Sequence, residues 1–247
     1  MEKYQEFARE KLGFEFHDIN LLVTALTHRS YVNEHKAAHE HNERLEFLGD
    51  AVLELVSSDF LYRNYNEPEG IMTAVRAALV RTESIGAAGI ELGYEPLVRL
   101  SKGEAHGSER AHESILADCF EAVIGAIYLD QGYEAARDFI DKHILVKIDK
   151  VLEEGTWRDP KSYVQELAQK FDGVTPTYRT MKEEGPDHDK VFTVGIYVNG
   201  SLKGTGKGHS KQEAQTVAAR EGVKKYHKDH KDSELVKRTL IKNTETR

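Results

Sequence analysis

The stretch from Ile115 to Leu129 constrains this fold more than any other. Only Asp118 and Glu121 carry charge in it. A helix that is apolar all round belongs inside a protein, covered by other elements. Two carboxylates one turn apart on such a helix are costly unless something compensates them. Either arginines satisfy them, with Arg44, Arg76 and Arg81 as candidates, or they help to hold a metal ion. Gly125, in the same helix, would let a second helix pack closely.

A second acidic stripe lies upstream. At about 100° per residue, Glu43, Glu46 and Asp50 fall within roughly 60° of one another. Leu45, Leu48, Val52 and Leu55 fall on the other side and supply a core-facing stripe. Like charges at helical spacing repel by about 0.2–0.5 kcal/mol per pair even in solvent. A solvated acidic face beside Arg44 would carry that cost. So would a pocket with the acids of 115–129 opposite, and oxygen-only ligands favour a hard cation such as magnesium.

No run of 18 or more apolar residues occurs, so no membrane-spanning helix is expected. The N-terminus lacks the basic-then-apolar layout of a secretory signal. A single cysteine, Cys119, leaves no internal disulfide framework and fits a reducing cytoplasm. The net charge of −8 argues, taken whole, against a nucleic-acid protein. Its distribution reverses that reading. Residues 1–156 hold 16 Lys and Arg against 29 Asp and Glu, whereas residues 157–226 hold 12 against 9. An acidic part followed by a basic part suggests two domains with different work.

The first part reads as helical throughout: residues 1–35, about 42–63, 73–92 with Gly93 as its stop, the central helix, and 132–151. Leu100 to Ala111 reads as a connection. His28, His35, His39 and His41 crowd one region, but no spacing completes a zinc pattern, so a polar loop is the simpler reading. From residue 160 the period changes. Asp159 can cap a helix with Pro160 at its first position. A strand follows at 177–183, then an alternating strand at 190–199, an Asn199-Gly200 turn and a strand at 201–207. A helix capped by Ser210 closes the unit. The expected class is an all-α domain over 1–153, a linker over 154–159, a small α-β-β-β-α domain over 160–228, and a charged tail over 229–247.

Carboxylates from two helices, with no cysteine–histidine dyad, nucleophile elbow or P-loop, favour metal-assisted hydrolysis. Gly206 to Lys211 brings glycines, helix N–H groups, Lys207 and Lys211 together as a phosphate-binding helix start, with a plain cap as the alternative.

These residues resemble the bacterial ribonuclease III family. His41-Asn42-Glu43-Arg44-Leu45-Glu46-Phe47-Leu48-Gly49-Asp50 is similar to its signature. Leu22 to Tyr31, and Leu116-Ala117-Asp118 through Glu121-Ala122, resemble its flanking motifs. Pro160 to Tyr226 resembles the double-stranded RNA-binding domain that follows. The resemblance implies an all-helical endonuclease domain that forms a homodimer and cleaves double-stranded RNA, leaving 5′-phosphates and short 3′ overhangs. It implies magnesium, with manganese able to substitute, and processing of ribosomal and other structured RNA precursors. Carried onto this chain, it makes Glu46, Asp118 and Glu121 metal ligands, and Asp50 and Glu121 catalytic. It assigns Glu43 and Glu69 to the wider acidic valley. In the RNA-binding domain it points to Gln165, Glu166, His188, Lys207, Ser210 and Lys211. One departure stands out: Lys211 is followed by Gln212 and Glu213, where the family often carries further lysines, so weaker phosphate contact is expected. A non-cleaving RNA-binding protein of the same fold is the competing reading.

Overall fold

A computed structural model describes residues 1–35, 38–186, 189–231 and 233. The expected RNA-binding residue His188 and the tail from residue 234 lie outside the described residues. Two compact units divide the chain, Met1–Asp149 and a second that begins at Lys150.

The first unit is helical: α1 (Glu2–Phe7), α2 (Ile19–Ala25), α3 (Arg29–Glu34), α4 (Glu43–Asn64), α5 (Glu69–Val80), α6 (Thr82–Leu92), α7 (Glu109–Gln131) and α8 (Tyr133–His143). A further helix, α9 (Ile148–Glu154), spans the division. The central helix expected from its apolar run is α7, and α2, α4, α6 and α8 pack around it. Phe120, Ile124 and Ile127 are fully buried there. Each contributes about 1.5–3 kcal/mol relative to exposure.

Several boundaries differ from the sequence reading. The helix starts at Glu109, because the Ser108 side chain accepts from the Ala111 N–H and caps it. The expected 73–92 helix is two, since Arg81 turns extended (ψ 152°) between α5 and α6. The expected 132–151 helix breaks at Ile144, after which a 3₁₀ turn leads into α9. Gly93 does stop α6, in the left-handed conformation (φ 83°). The buried face of α4 is also rotated from the expected one. It runs through Leu45, Gly49, Val52, Leu53 and Val56, while Leu48 is half-buried and Leu55 is 57% exposed. Leu55 sits about 100° round from Val56, off the packed face.

The second unit follows the expected order: α10 (Pro160–Asp172), β1 (Thr177–Glu184), β2 (Val191–Val198), β3 (Ser201–Gly208) and α11 (Lys211–Asp229). Asp159 caps α10 by accepting from the Ser162 N–H at 2.8 Å, and Pro160 fills the first turn. The sheet is antiparallel in the order β1-β2-β3. Asn199 and Gly200 both hold positive φ (50° and 74°), which suits a two-residue turn between twisted strands. Val194, Ile196 and Val198 of β2 are buried. Ile196 and Val198 share a core with Val164 and Leu167 of α10 and Ala218 and Val223 of α11.

A glycine stripe sets how α11 meets the sheet. Gly204, Gly206 and Gly208 alternate along β3 and so share one face. A Cβ on Gly206 would stand 2.3 Å from Ala214 O and Ala218 N. Ala214, Ala218 and Gly222 recur every four residues on α11. The helix backbone therefore lies directly on the strand.

Candidate metal centre and RNA-binding surface

In the first unit, α4 and α7 touch backbone to backbone. A Cβ on Gly49 would stand 1.8 Å from Glu121 O, and a Cβ on Gly125 would stand 2.3 Å from Leu45 O. Only glycine at both positions permits this approach. It also determines the chemistry, because Glu46 and Asp50 flank Gly49 while Asp118 and Glu121 precede Gly125. Ligand oxygens of Glu46, Asp118 and Glu121 lie within 4.8 Å of one another, and all three residues are half-buried.

Asn42 holds the same end of α4. It is 1% exposed, its backbone N–H donates to Thr27 O at 2.9 Å, and its side-chain amide donates to Cys119 Sγ at 3.7 Å. Cys119 adjoins Asp118, so the start of α4 is tied to α7 beside the acids.

Two of the three candidate arginines are engaged away from these acids. Arg76 donates to Ser58 Oγ at 2.7 Å and pairs with Glu54 at 3.7 Å, and Arg81 lies 4.0 Å from Glu83. Compression of the acids appears in their protonation. Burial, then Asp50, Glu46 and Asp118, push the Glu121 carboxyl up to about 8. Burial also raises Glu46, with Asp118, Glu43 and Asp50 adding to it. Burial raises Asp118, partly offset by His28. Carboxylates that resist ionisation together gain most from a cation among them. An all-oxygen donor set suits a hard divalent ion. The residues present therefore fit a metal.

The remaining expected acids separate. Asp50 is exposed at the rim and acts electrostatically on Glu121. Glu43 is engaged by base, 3.1 Å from Arg29 Nη1 and 3.8 Å from His41 Nδ1. Glu69 accepts from Thr73 Oγ1 at 3.1 Å and lines a groove of about 470 Å³ with Leu55, Asp59, Tyr62 and Arg76. It does not join the 4.8 Å group. His28 caps α3 and His35 stacks on Tyr31, which accounts for two of the four clustered histidines without a metal.

In the second unit, Gln165 and Glu166 are exposed on α10. Ser210 Oγ accepts from the Glu213 N–H at 3.0 Å, while Glu213 Oε2 accepts from the His209 N–H at 2.8 Å. This capping box uses helix-start N–H capacity that the sequence reading assigned to phosphate. Lys211 opens α11. Lys207 lies between two glycines that face α11, so it projects from the opposite sheet face, opposite Thr193 in register. Ser210 and Lys211 are together; Lys207 is not with them.

Residues 18–148 match the ribonuclease-III-like family, and residues 160–226 match the double-stranded RNA binding motif. The chain belongs to the ribonuclease III family. The Ribonuclease 3 of Enterococcus faecalis is 46% identical over 221 residues, spanning 87% of this chain and 94% of that protein. That of Protochlamydia amoebophila is 44% identical over 214 residues, spanning 86% and 88%. A solved nuclease domain of ribonuclease III from Campylobacter jejuni, described for flexibility in a region involved in dimer formation, aligns with a TM-score of 0.50 at 38% identity. That match covers 56% of this chain and 96% of the other. The chain is thus a ribonuclease III-type endonuclease joined to a double-stranded RNA-binding domain. No helix among the described residues is long and apolar enough to cross a membrane.

The sequence reading gave Gly49 and Asn42 no role of their own, and it took Gly206 and Gly208 for a phosphate approach rather than for the seat of α11. The β3 stripe carries a usable signal, glycine at every second position facing small residues at every fourth. Asn42 carries none, since its partner Cys119 is remote in sequence.

Proposed function

We propose that this ribonuclease III family member hydrolyses double-stranded RNA with magnesium held by Glu46, Asp118 and Glu121. The observation that carries the metal assignment is the approach of these three carboxylates to within 4.8 Å across the α4–α7 contact. Magnesium, when bound, would offset charge on a phosphoryl oxygen and make a water more acidic. Without an ion, crowding and burial push the Glu121 carboxyl up to about 8, and a cation held there would keep it ionised. Asp50, exposed beside it, is positioned to orient water at the rim. Glu43 and Glu69 belong to the wider acidic surface rather than to the ligand set.

The second unit binds the duplex through Gln165 and Glu166 on α10, through His188, and through Ser210 and Lys211 at the start of α11. Lys207 contributes from the other sheet face. Such a domain recognises A-form shape over about 16 base pairs rather than sequence. Residues 154–159 serve as the linker between a nuclease domain at 1–153 and an RNA-binding domain at 160–228, with 229–247 as a tail. The nuclease domain forms a homodimer. Phe47 (80% exposed), Leu55 (57%) and Tyr62 (74%) support this, since they fall within about 80° on one side of α4 and need cover. The enzyme works in the cytoplasm, on ribosomal and other structured RNA precursors.

A long RNA duplex incubated with the protein tests the reading. Magnesium or manganese should give short duplex products with 5′-phosphates and 3′ overhangs, and a chelator should stop the reaction. Binding without cleavage at any concentration of either ion would favour the non-cleaving RNA-binding protein instead.

A further inference from the structure

The lysine that opens α11 already carries a counter-charge from its own chain. Lys211 Nζ lies 3.0 Å from Glu183 Oε1 at the end of β1. The register explains the meeting. Glu183 is opposite Phe192, which is opposite Gly208, and Gly208 faces the first turn of α11. The Lys211 ammonium also sits 5.4 Å from the centre of the Phe192 ring. Glu183 and Lys211 thus share the helix-covered side of the sheet.

The adjacent residue forms a second pair on the other side. Glu184 Oε1 lies 2.6 Å from Lys182 Nζ. That hydrogen bond holds the Glu184 carboxyl below the usual range, with charge from Lys207 adding to it. His209 Nδ1 lies 3.3 Å from Asp189 Oδ1. Lys182 and Lys211 at this end of the unit are therefore each met by a carboxylate.

Exposure decides what such a pair does. The side chains of Lys211 and Glu183 are 57% and 41% exposed. An exposed pair contributes little to stability and exchanges partners readily in water. A duplex phosphate arriving at Lys211 must displace a carboxylate, not only water and a counterion.

We propose that Glu183 is an affinity-setting residue for duplex RNA, competing with backbone phosphate for Lys211. The inference rests on reading the start of α11 as an RNA contact. Phosphate contact by a paired lysine yields less net neutralisation and less counterion release. Glu183 thereby lowers affinity and flattens its salt dependence, which favours release of cut duplex. Gln212 and Glu213 follow Lys211, so no neighbouring lysine in the first turn of α11 shares its charge.

The test uses the full chain with chelator, so that RNA stays intact, and a labelled RNA duplex longer than about 16 base pairs. Fluorescence anisotropy across a salt series gives affinity and its slope. Glu183→Gln should bind at least threefold tighter, with a log–log salt slope steeper by up to about one. Lys211→Gln should weaken binding, and by a larger factor in the Glu183→Gln background than alone. Glu221→Gln is the control for net charge. Its carboxylate pairs with Lys224, and it lies ten residues along α11 from Lys211, about 15 Å away. It should bind within twofold of the parent. The competition is overturned if Lys211→Gln weakens binding while Glu183→Gln matches the parent, or if Glu221→Gln tightens binding as much as Glu183→Gln. The α11 contact itself fails if Lys211→Gln changes nothing in either background.

Discussion

Replacing Gly49 by alanine perturbs the α4–α7 contact with one added carbon. That carbon would stand 1.8 Å from Glu121 O, 2.6 Å from Glu121 C and 2.9 Å from Gly125 N. All three obstacles are backbone, so no rotamer change relieves them. Reaching even 3.0 Å from the oxygen requires the helices to part by about 1.2 Å. Overpacking of this kind costs about 1–3 kcal/mol. The effect on the acids is larger in consequence. Two oxygens on opposite sides of magnesium are at most about 4.2 Å apart. The present 4.8 Å spread is close to that value, and parting the helices by about 1.2 Å would carry it towards about 6 Å. Misplacement by about 1 Å costs on the order of 100-fold in rate. Gly49→Ala should therefore stay folded by circular dichroism, melt lower, need more magnesium for half-maximal rate, and cleave duplex RNA about 100-fold more slowly. Cleavage within threefold of the parent at the same magnesium would refute the reasoning, since the close contact would not be what assembles the acids.

Two other perturbations follow from the second unit. Gly206→Ala should destabilise that unit by about 1–3 kcal/mol or more, seen as an earlier melting transition with the nuclease unit unchanged, because its Cβ would meet the α11 backbone at 2.3 Å. An unchanged transition would contradict the direct seating of α11 on β3. Asp159→Ala should cost about 1 kcal/mol by removing the α10 cap. The Ser162 N–H holds the Asp159 carboxyl below the usual range, so the charged cap stabilises above about pH 4 and is lost as pH falls through the folded pKa. Melting curves of parent and variant should converge in acid; a gap that stays constant from pH 7 to 3 would contradict the assignment.

What the sequence made legible followed from local chemistry. The second unit could be read element by element because β2 alternates, Asn199-Gly200 accepts positive φ, and Asp159 and Ser210 cap their helices. In the first unit, α7 was legible from its apolar run, and the acids on α4 and α7 from their spacing. Non-local contacts were hidden. Nothing near Gly49 in sequence announces that the Glu121 carbonyl will lie against it. Periodicity does not show that Arg81 turns extended and divides a helix whose two halves are both regular. The orientation of Lys207 needed the β3 glycines to be seen facing α11. The capping box at Glu213 and the pair between Glu183 and Lys211 depend on side chains meeting after folding, so a segment read as a phosphate-ready helix start proved partly occupied by the chain itself.

The central claim is that carboxylates brought together by α4 and α7 hold the ion on which cleavage depends. Glu121→Gln keeps the shape of the side chain and removes its charge. Assayed beside the parent on one long RNA duplex across a magnesium series, the variant should bind the duplex as the parent does and leave it uncut at every concentration. Cleavage at the parent's rate would contradict the account.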